Sequence, residues 1–226
     1  MRASSYQTAS IGSGSKNLNP AQAAAGQPRD DIPAAITSTP PAPVRFAALD
    51  FETADYGRDS ACALSIVTVE NDSIIDAWTT LIRPPRRDFV FTYLHGIAWP
   101  HVRNQPSFGE LWGNIARKLE GVSFIAAHNA SFDRSVLRAC CETAAVQPVN
   151  LSFVCTVRAA RSIWGFYPTT LSDVCRQLRI PLQHHDAESD ARACARIVLA
   201  ARAHGQAYEH LRKSCALKPA RGCQVK

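Results

Sequence analysis

The segment Val44-Arg45-Phe46-Ala47-Ala48-Leu49 is a nearly unbroken apolar run that ends in Asp50-Phe51-Glu52, and no other feature of the chain constrains its fold as much. A run of this length and composition reads as a central strand. Side chains alternate along a strand, so Asp50 and Glu52 project to one face roughly 7 Å apart. An isolated Asp-x-Glu is an ordinary solvated strand end. At the tip of the most apolar strand, two neighbouring carboxylates need a cation to hold them charged.

The segments that follow define the layers around this strand. Ala61 to Val69 and Ser73 to Ile82 are β-rich and are separated by the turn signal Glu70-Asn71-Asp72, so the first three strands form a meander. After an irregular stretch holding Pro84, Pro85, Pro100 and Pro106, Phe108, Leu111, Trp112, Ile115 and Leu119 share one helical stripe that Gly121 stops. Val122 to Ala127 reads as another buried strand. Helices are expected over Ser131 to about Val146, Leu171 to Leu178 and Ala187 to about Ala203, with Ser131 as a natural N-cap. This order implies an α/β fold, a mixed sheet covered by helices.

Two further acids sit where an amphipathic helix should be apolar. Val136, Leu137 and Cys140 stand at +3, +4 and +7 from Asp133, which puts Asp133 on the inward stripe. A first-turn acid that only complements the helix dipole would face solvent. Asp190 repeats the pattern, with Cys194 and Ile197 at +4 and +7. His185 lies just before that helix, five residues ahead of Asp190, within His184-His185-Asp186. Four inward carboxylates repel one another, and hard cations with oxygen ligands relieve the repulsion. Mg²⁺ or Mn²⁺ fits this donor set better than Zn²⁺, and two such ions are a standard device for in-line displacement at phosphorus.

Composition excludes several other classes. No apolar run nears the roughly 20 residues of a bilayer span, so no membrane association is expected. Residues 1–43, ending in Thr39-Pro40-Pro41-Ala42-Pro43, are too poor in apolar residues to offset their ordering entropy and read as a disordered leader or linker. Eight cysteines without a Cys-x-x-Cys pair or a signal sequence argue against a disulfide framework and structural zinc, and for a cytoplasmic location. Cys140, Cys175 and Cys194 read as small buried hydrophobes. A net charge of +6 suits an anionic partner without demanding one. Residues 206–226 carry Arg212, Lys213, Lys218, Arg221 and Lys226 against Glu209 and read as a basic tail, either phosphate-touching or simply solvated. The folded domain is thereby placed at 44–205.

Three motifs in order, Leu49-Asp50-Phe51-Glu52-Thr53, Ala127-His128-Asn129-Ala130-Ser131-Phe132-Asp133 and His185-Asp186-Ala187-Glu188-Ser189-Asp190-Ala191, resemble the DnaQ-like, or DEDDh, 3′-to-5′ exonuclease superfamily, which includes the ε subunit of bacterial DNA polymerase III. His95-Gly96-Ile97 and Leu171 to Ile180 add to the likeness, which spans about residues 44–203. Each motif alone is weak; the ordered trio is specific. Two departures stand out: Thr53-Ala54-Asp55 replaces the Thr-Thr-Gly with which many proofreading members continue their first motif, and Phe51-Glu52-Thr53 looks more like stand-alone members.

The resemblance implies a ribonuclease H-like five-stranded mixed sheet with helices on both faces. It implies that Asp50, Glu52, Asp133 and Asp190 ligate two Mg²⁺ or Mn²⁺ ions and that His185 is the general base, preferred to His184 by its spacing to Asp190. Phe51, Thr53, His128 and Asn129 are the implied nucleotide-binding residues. The implied substrate is the 3′ end of single-stranded nucleic acid, DNA before RNA, cut to nucleoside 5′-monophosphates in proofreading or repair with a DNA polymerase as partner. An exoribonuclease or a non-catalytic module that holds nucleic-acid ends are the alternative readings.

Overall fold

The computed structural model describes residues 44–216; the expected leader over 1–43 and the last ten residues of the expected basic tail lie outside the described residues. The strands are β1 (Arg45–Thr53), β2 (Ala61–Glu70), β3 (Ser73–Leu81), β4 (Ile125–Ala127) and β5 (Phe153–Cys155). They form one sheet in the order β3-β2-β1-β4-β5. The first three strands pair antiparallel, whereas β4 runs parallel to both β1 and β5. Asn71 and Asp72 close the β2–β3 hairpin with φ of 50° and 59°, the left-handed backbone that matches strand twist in a two-residue turn.

Alternation along β1 assigns its two faces. Phe46 and Ala48 join one buried cluster with Val67, Phe124, Ala126 and residues of the helices α5 (Thr156–Trp164), α6 (Leu171–Leu178) and α7 (Ala187–Ala203). Ala47, Leu49 and Phe51 join the other, with Ile125, Ala127 and the helices α3 (Phe108–Lys118) and α4 (Ser131–Thr143). Helices thus cover both faces of a mixed five-stranded sheet, the ribonuclease H-like arrangement. Two single-turn helices, α1 (Thr92–His95) and α2 (Trp99–Val102), lie in the proline-rich stretch.

Two local readings need correction, and the position of one strand is new. Ser131 is the first residue of α4, not its N-cap; Ala130 holds that position with no side-chain cap, and the Ser131 hydroxyl donates to Asn129 Oδ1 at 3.1 Å. The fifth strand, Phe153–Cys155, is three residues long, too short for periodicity to reveal. The folded unit also continues past residue 205 into α8 (Tyr208–Ser214). Tyr208, Leu211 and Cys215 are buried at helical spacing, and the Tyr208 ring lies 5.5 Å from Phe46 and 6.0 Å from Phe124. Arg212 and Lys213, which gave the segment its tail-like charge, pair with Glu209 on the same helix.

Among the described residues, seven cysteines are buried and form no disulfide. Cys140 and Cys175 pack in opposite faces of the core, and Cys194 lies beneath the acids on α7.

Candidate active site

The C-terminal ends of β1 and β4 meet the N-terminal ends of α4 and α7, and the inward acids converge there. Asp50 and Glu52 continue the Phe46–Ala48 face of β1, the face that α7 covers. Asp190 stands in the first turn of α7, whose N-cap Asp186 accepts the Ser189 backbone N–H at 2.8 Å. Carboxylate oxygens of Asp50, Glu52 and Asp190 lie within 4.8 Å of one another. Asp133 approaches from α4, buried, with Oδ1 accepting the Phe51 backbone N–H at 3.3 Å. All four acids line a cavity of about 410 Å³ together with Phe51, Thr53, His128, Asn129 and His185.

Burial and mutual repulsion push these carboxyls toward the protonated form. Desolvation comes first for Asp50, followed by the charges of Asp133, Glu52 and Asp190, all raising its pKa well above the usual range. Glu52 rises to about 8 through burial and then Asp190 and Asp133. Asp133 rises to about 7 by burial, opposed by the Phe51 hydrogen bond and by Arg58. Asp190 is raised by burial but held back by His184 and the His185 backbone. Burial among like charges thus favours the protonated forms of these acids, and a nearby cation would favour the carboxylates instead.

Both consecutive histidines reach the cavity. His184 Nδ1 lies 2.9 Å from Asp190 Oδ2, and that same oxygen accepts the His185 backbone N–H at 3.2 Å. The two rings stack with centroids 3.9 Å apart, and His185 adopts φ of +67°. Burial and then His184 lower the His185 pKa, with Asp190 opposing. Sequence spacing singled out His185 and missed the direct contact of His184 with Asp190.

His128 is spoken for by the protein itself. Its Nε2 faces the Thr169 carbonyl at 3.0 Å and its Nδ1 the Thr156 hydroxyl at 2.8 Å. Burial drops its pKa to about 4, so at neutral pH Nε2–H donates to the carbonyl and Nδ1 accepts from Thr156. Asn129 is exposed at φ of +57°. Thr53 is buried, and its carbonyl accepts from His95 Nε2 at 3.1 Å, while His95 Nδ1 accepts the Ile97 N–H at 3.0 Å. Phe91, Leu94, His95 and Phe132 also line the cavity. Periodicity gives no sign of Phe91 or Leu94, which sit in and beside a single-turn helix.

Residues 47–198 match the RNase_T family, whose description is exonuclease. The chain belongs to this exonuclease family. It is a member of the DnaQ-like 3′-to-5′ exonuclease superfamily. Over 158 residues, 68% of the chain, this exonuclease domain is 30% identical to the PolC-type DNA polymerase III of Thermotoga petrophila and of Thermotoga maritima. The chain spans 12% of the length of those curated relatives. Among solved structures, Exonuclease X in complex with 5′ overhanging duplex DNA is similar with a TM-score of 0.63 and 20% identity, covering 75% of this chain and 99% of that one. The nuclease domain of 3′hExo, a DEDDh family member bound to rAMP, follows with a TM-score of 0.61 and 15% identity, covering 71% and 92%. These two likenesses bear on the fold.

Members of the DEDDh exonuclease family use divalent metal ions, and the residues of this exonuclease domain fit such a group. Asp190 Oδ1 is buried and lacks any hydrogen-bond partner, an arrangement costly for a carboxylate unless a cation completes it. Asp190 groups with the hard oxygens of Asp50 and Glu52 on one side and with the His184 and His185 rings on the other; the all-carboxylate group offers the ligand chemistry of Mg²⁺ and Mn²⁺ rather than of a thiolate site.

Proposed function

We propose that the domain is a divalent-metal-dependent 3′-to-5′ exonuclease that removes nucleoside 5′-monophosphates from the 3′ end of single-stranded nucleic acid, DNA before RNA. The observation that carries this reading is the unpartnered, buried Asp190 Oδ1 beside Asp50 and Glu52. Asp50, Glu52, Asp133 and Asp190 would hold two Mg²⁺ or Mn²⁺ ions. When bound, such ions supply Lewis-acid stabilisation of the attacking and leaving oxygens of an in-line displacement.

The remaining chemistry belongs to side chains. His185 takes the proton of the attacking water; its lowered pKa keeps the imidazole neutral and able to accept. His184 and the His185 backbone N–H both bind Asp190 Oδ2 and so fix that carboxylate's rotation, leaving Oδ1 without a protein partner and open to a metal ion. Phe51, Thr53 and Asn129, which line the cavity, border the terminal nucleotide, and His128 acts by anchoring the Thr169 carbonyl.

DNA is preferred on the strength of the PolC-type polymerase relatives, which also support proofreading or repair beside a DNA polymerase. The rAMP bound to 3′hExo supports RNA trimming as the second reading. The test is release of mononucleotides from 5′-labelled DNA and RNA dodecamers with and without Mg²⁺ or Mn²⁺. A one-nucleotide ladder on DNA that disappears in Asp190→Ala supports the proposal; intact DNA and RNA under all conditions would sink it. Among the described residues no helix is long and apolar enough to cross a membrane.

A further inference from the structure

The loop between β1 and β2 is built far more rigidly than a connector requires. Arg86 reaches it from beyond β3 and grips two carboxylates at once: Nε and Nη2 donate to Asp55 at 2.9 and 3.1 Å, while Nη1 and Nη2 donate to Asp59 at 2.9 and 2.6 Å. Asp55 Oδ1 also accepts the Gly57 N–H at 2.6 Å, and the Ser60 hydroxyl donates to the Asp55 and Gly57 carbonyls. A Cβ on Gly57 would collide with Arg86 Nη2. Planar, doubly bidentate pairing of this kind fixes orientation as well as distance.

What the clamp holds in place is two side chains, each laid against an aromatic ring of the carboxylate cavity. Tyr56, 80% exposed, meets Phe91 edge-on with centroids 4.9 Å apart. Arg58, also exposed, places its guanidinium 4.4 Å over the Phe132 ring. Phe91 and Phe132 both line the cavity. Backbone bonds from Val90 and Phe91 to the Ala54 carbonyl, at 2.7 and 3.2 Å, tie that rim to the end of β1. The result is an apolar rim with one cation, continuous with the acidic cavity, whose rings are positioned by a loop that carries no cavity carboxylate.

We infer that the Arg86-clamped loop Asp55–Ser60 is a guide for unpaired strand, with Tyr56 and Arg58 as positioning residues that hold Phe91 and Phe132 for stacking of the nucleotides just inside the 3′ end. This rests on the exonuclease reading above. Base stacking on aromatic rings is sequence-tolerant, needs bases free of a complement, and gains from cations along the backbone. The occupant is therefore unpaired nucleic acid of any sequence, longer than the nucleotide pair at the cut, with DNA the strand tested first as in the reading above.

The experiment compares hydrolysis of a thymidine dodecamer with that of a thymidine dinucleotide by the full chain with Mg²⁺. In Tyr56→Ala the ratio of kcat/KM on dodecamer to that on dinucleotide should fall about tenfold, carried by KM rather than kcat, as expected for loss of one stacked base. Tyr56→Phe should restore the ratio, and Arg86→Gln, which breaks the clamp without touching the rim, should reproduce the Tyr56→Ala defect. Thermal unfolding that stays cooperative in each variant secures the comparison. Equal losses on both substrates, or a Tyr56→Phe as impaired as Tyr56→Ala, would overturn the guide. A wild-type protein inactive on both lengths would instead strike the exonuclease reading, and the guide with it.

Discussion

His184 and Asp190 form a 2.9 Å contact between Nδ1 and Oδ2, and the backbone N–H of the next residue, His185, binds the same oxygen at 3.2 Å. One carboxylate oxygen is thus saturated by two consecutive histidines while its twin has no partner. The His185 ring itself is stacked on His184 and makes no hydrogen bond among the described residues, which leaves both its nitrogens available for proton transfer. We expect His185→Ala to lower kcat by about 10²–10⁴, with little change in the Mg²⁺ concentration for half-maximal rate. His184→Ala should cost less in kcat and raise that metal midpoint. Metal titrations of both variants at fixed substrate check the division; a larger kcat loss in His184→Ala would transfer the base role to that residue.

Metal should stabilise the fold, and more so at higher pH. Glu52 has a pKa raised from 4.5 to about 8 in the bare protein, so the folded state holds this proton more tightly than the unfolded chain does. Its contribution is full below about pH 4.5 and is lost as pH rises through about 8. The thermal midpoint gained on adding 10-fold excess Mn²⁺ over its Kd should therefore grow from pH 5 to pH 8.5. Scanning calorimetry with and without metal reads this directly, and a gain that shrinks with pH would contradict it.

Asp50→Asn removes one like charge from the cluster while keeping shape. Nuclease activity should vanish, yet the metal-free protein should become more stable at pH 8 by about 1–2 kcal/mol, the scale of a relieved unfavourable buried charge. Chemical denaturation at pH 8 in EDTA provides the measurement. Loss of stability in that variant would mean that Asp50 has a structural partner.

His128 titrates in the opposite sense. Its folded pKa is depressed from 6.5 to about 4, so the unfolded chain takes the proton first; stability is full above about pH 6.5 and is lost as pH falls through about 4. In His128→Asn that contribution to acid sensitivity disappears. The difference in urea midpoint between wild type and variant should thus narrow from pH 7 to pH 4, by up to about 3 kcal/mol in stability. A difference that is flat with pH would mean that the His128 imidazole titrates alike in the folded and unfolded chain, contrary to its burial.

Gly57→Ala tests the clamp from the backbone side. With a methyl forced against Arg86, Asp55 and Asp59, overpacking should cost about 1–3 kcal/mol. Asp55 and Asp59 have lowered pKa values caused first by Arg86, so NMR titration of the variant should show both carboxyls moving back up toward ordinary values. Unchanged titration would show that the clamp tolerates the methyl.

Periodicity was enough to read much of this protein. The faces of β1, the burial of Asp133 and Asp190 on their helices, and the span of α6 and α7 follow from side-chain directions that repeat every two or 3.6 residues, and those directions are properties of the local backbone. The ordered motifs then named the family. Tertiary structure decided what local patterns do not encode: the parallel pairing of β4 and β5, the packing of Tyr208 and Leu211 that makes α8 part of the core, His184 on Asp190, and Arg86 across 31 residues from Asp55. Each of these joins groups distant in sequence or turns on a side-chain rotamer. A pattern of burial says that a face must be covered, but which distant segment covers it is settled only when all elements compete for the same surface.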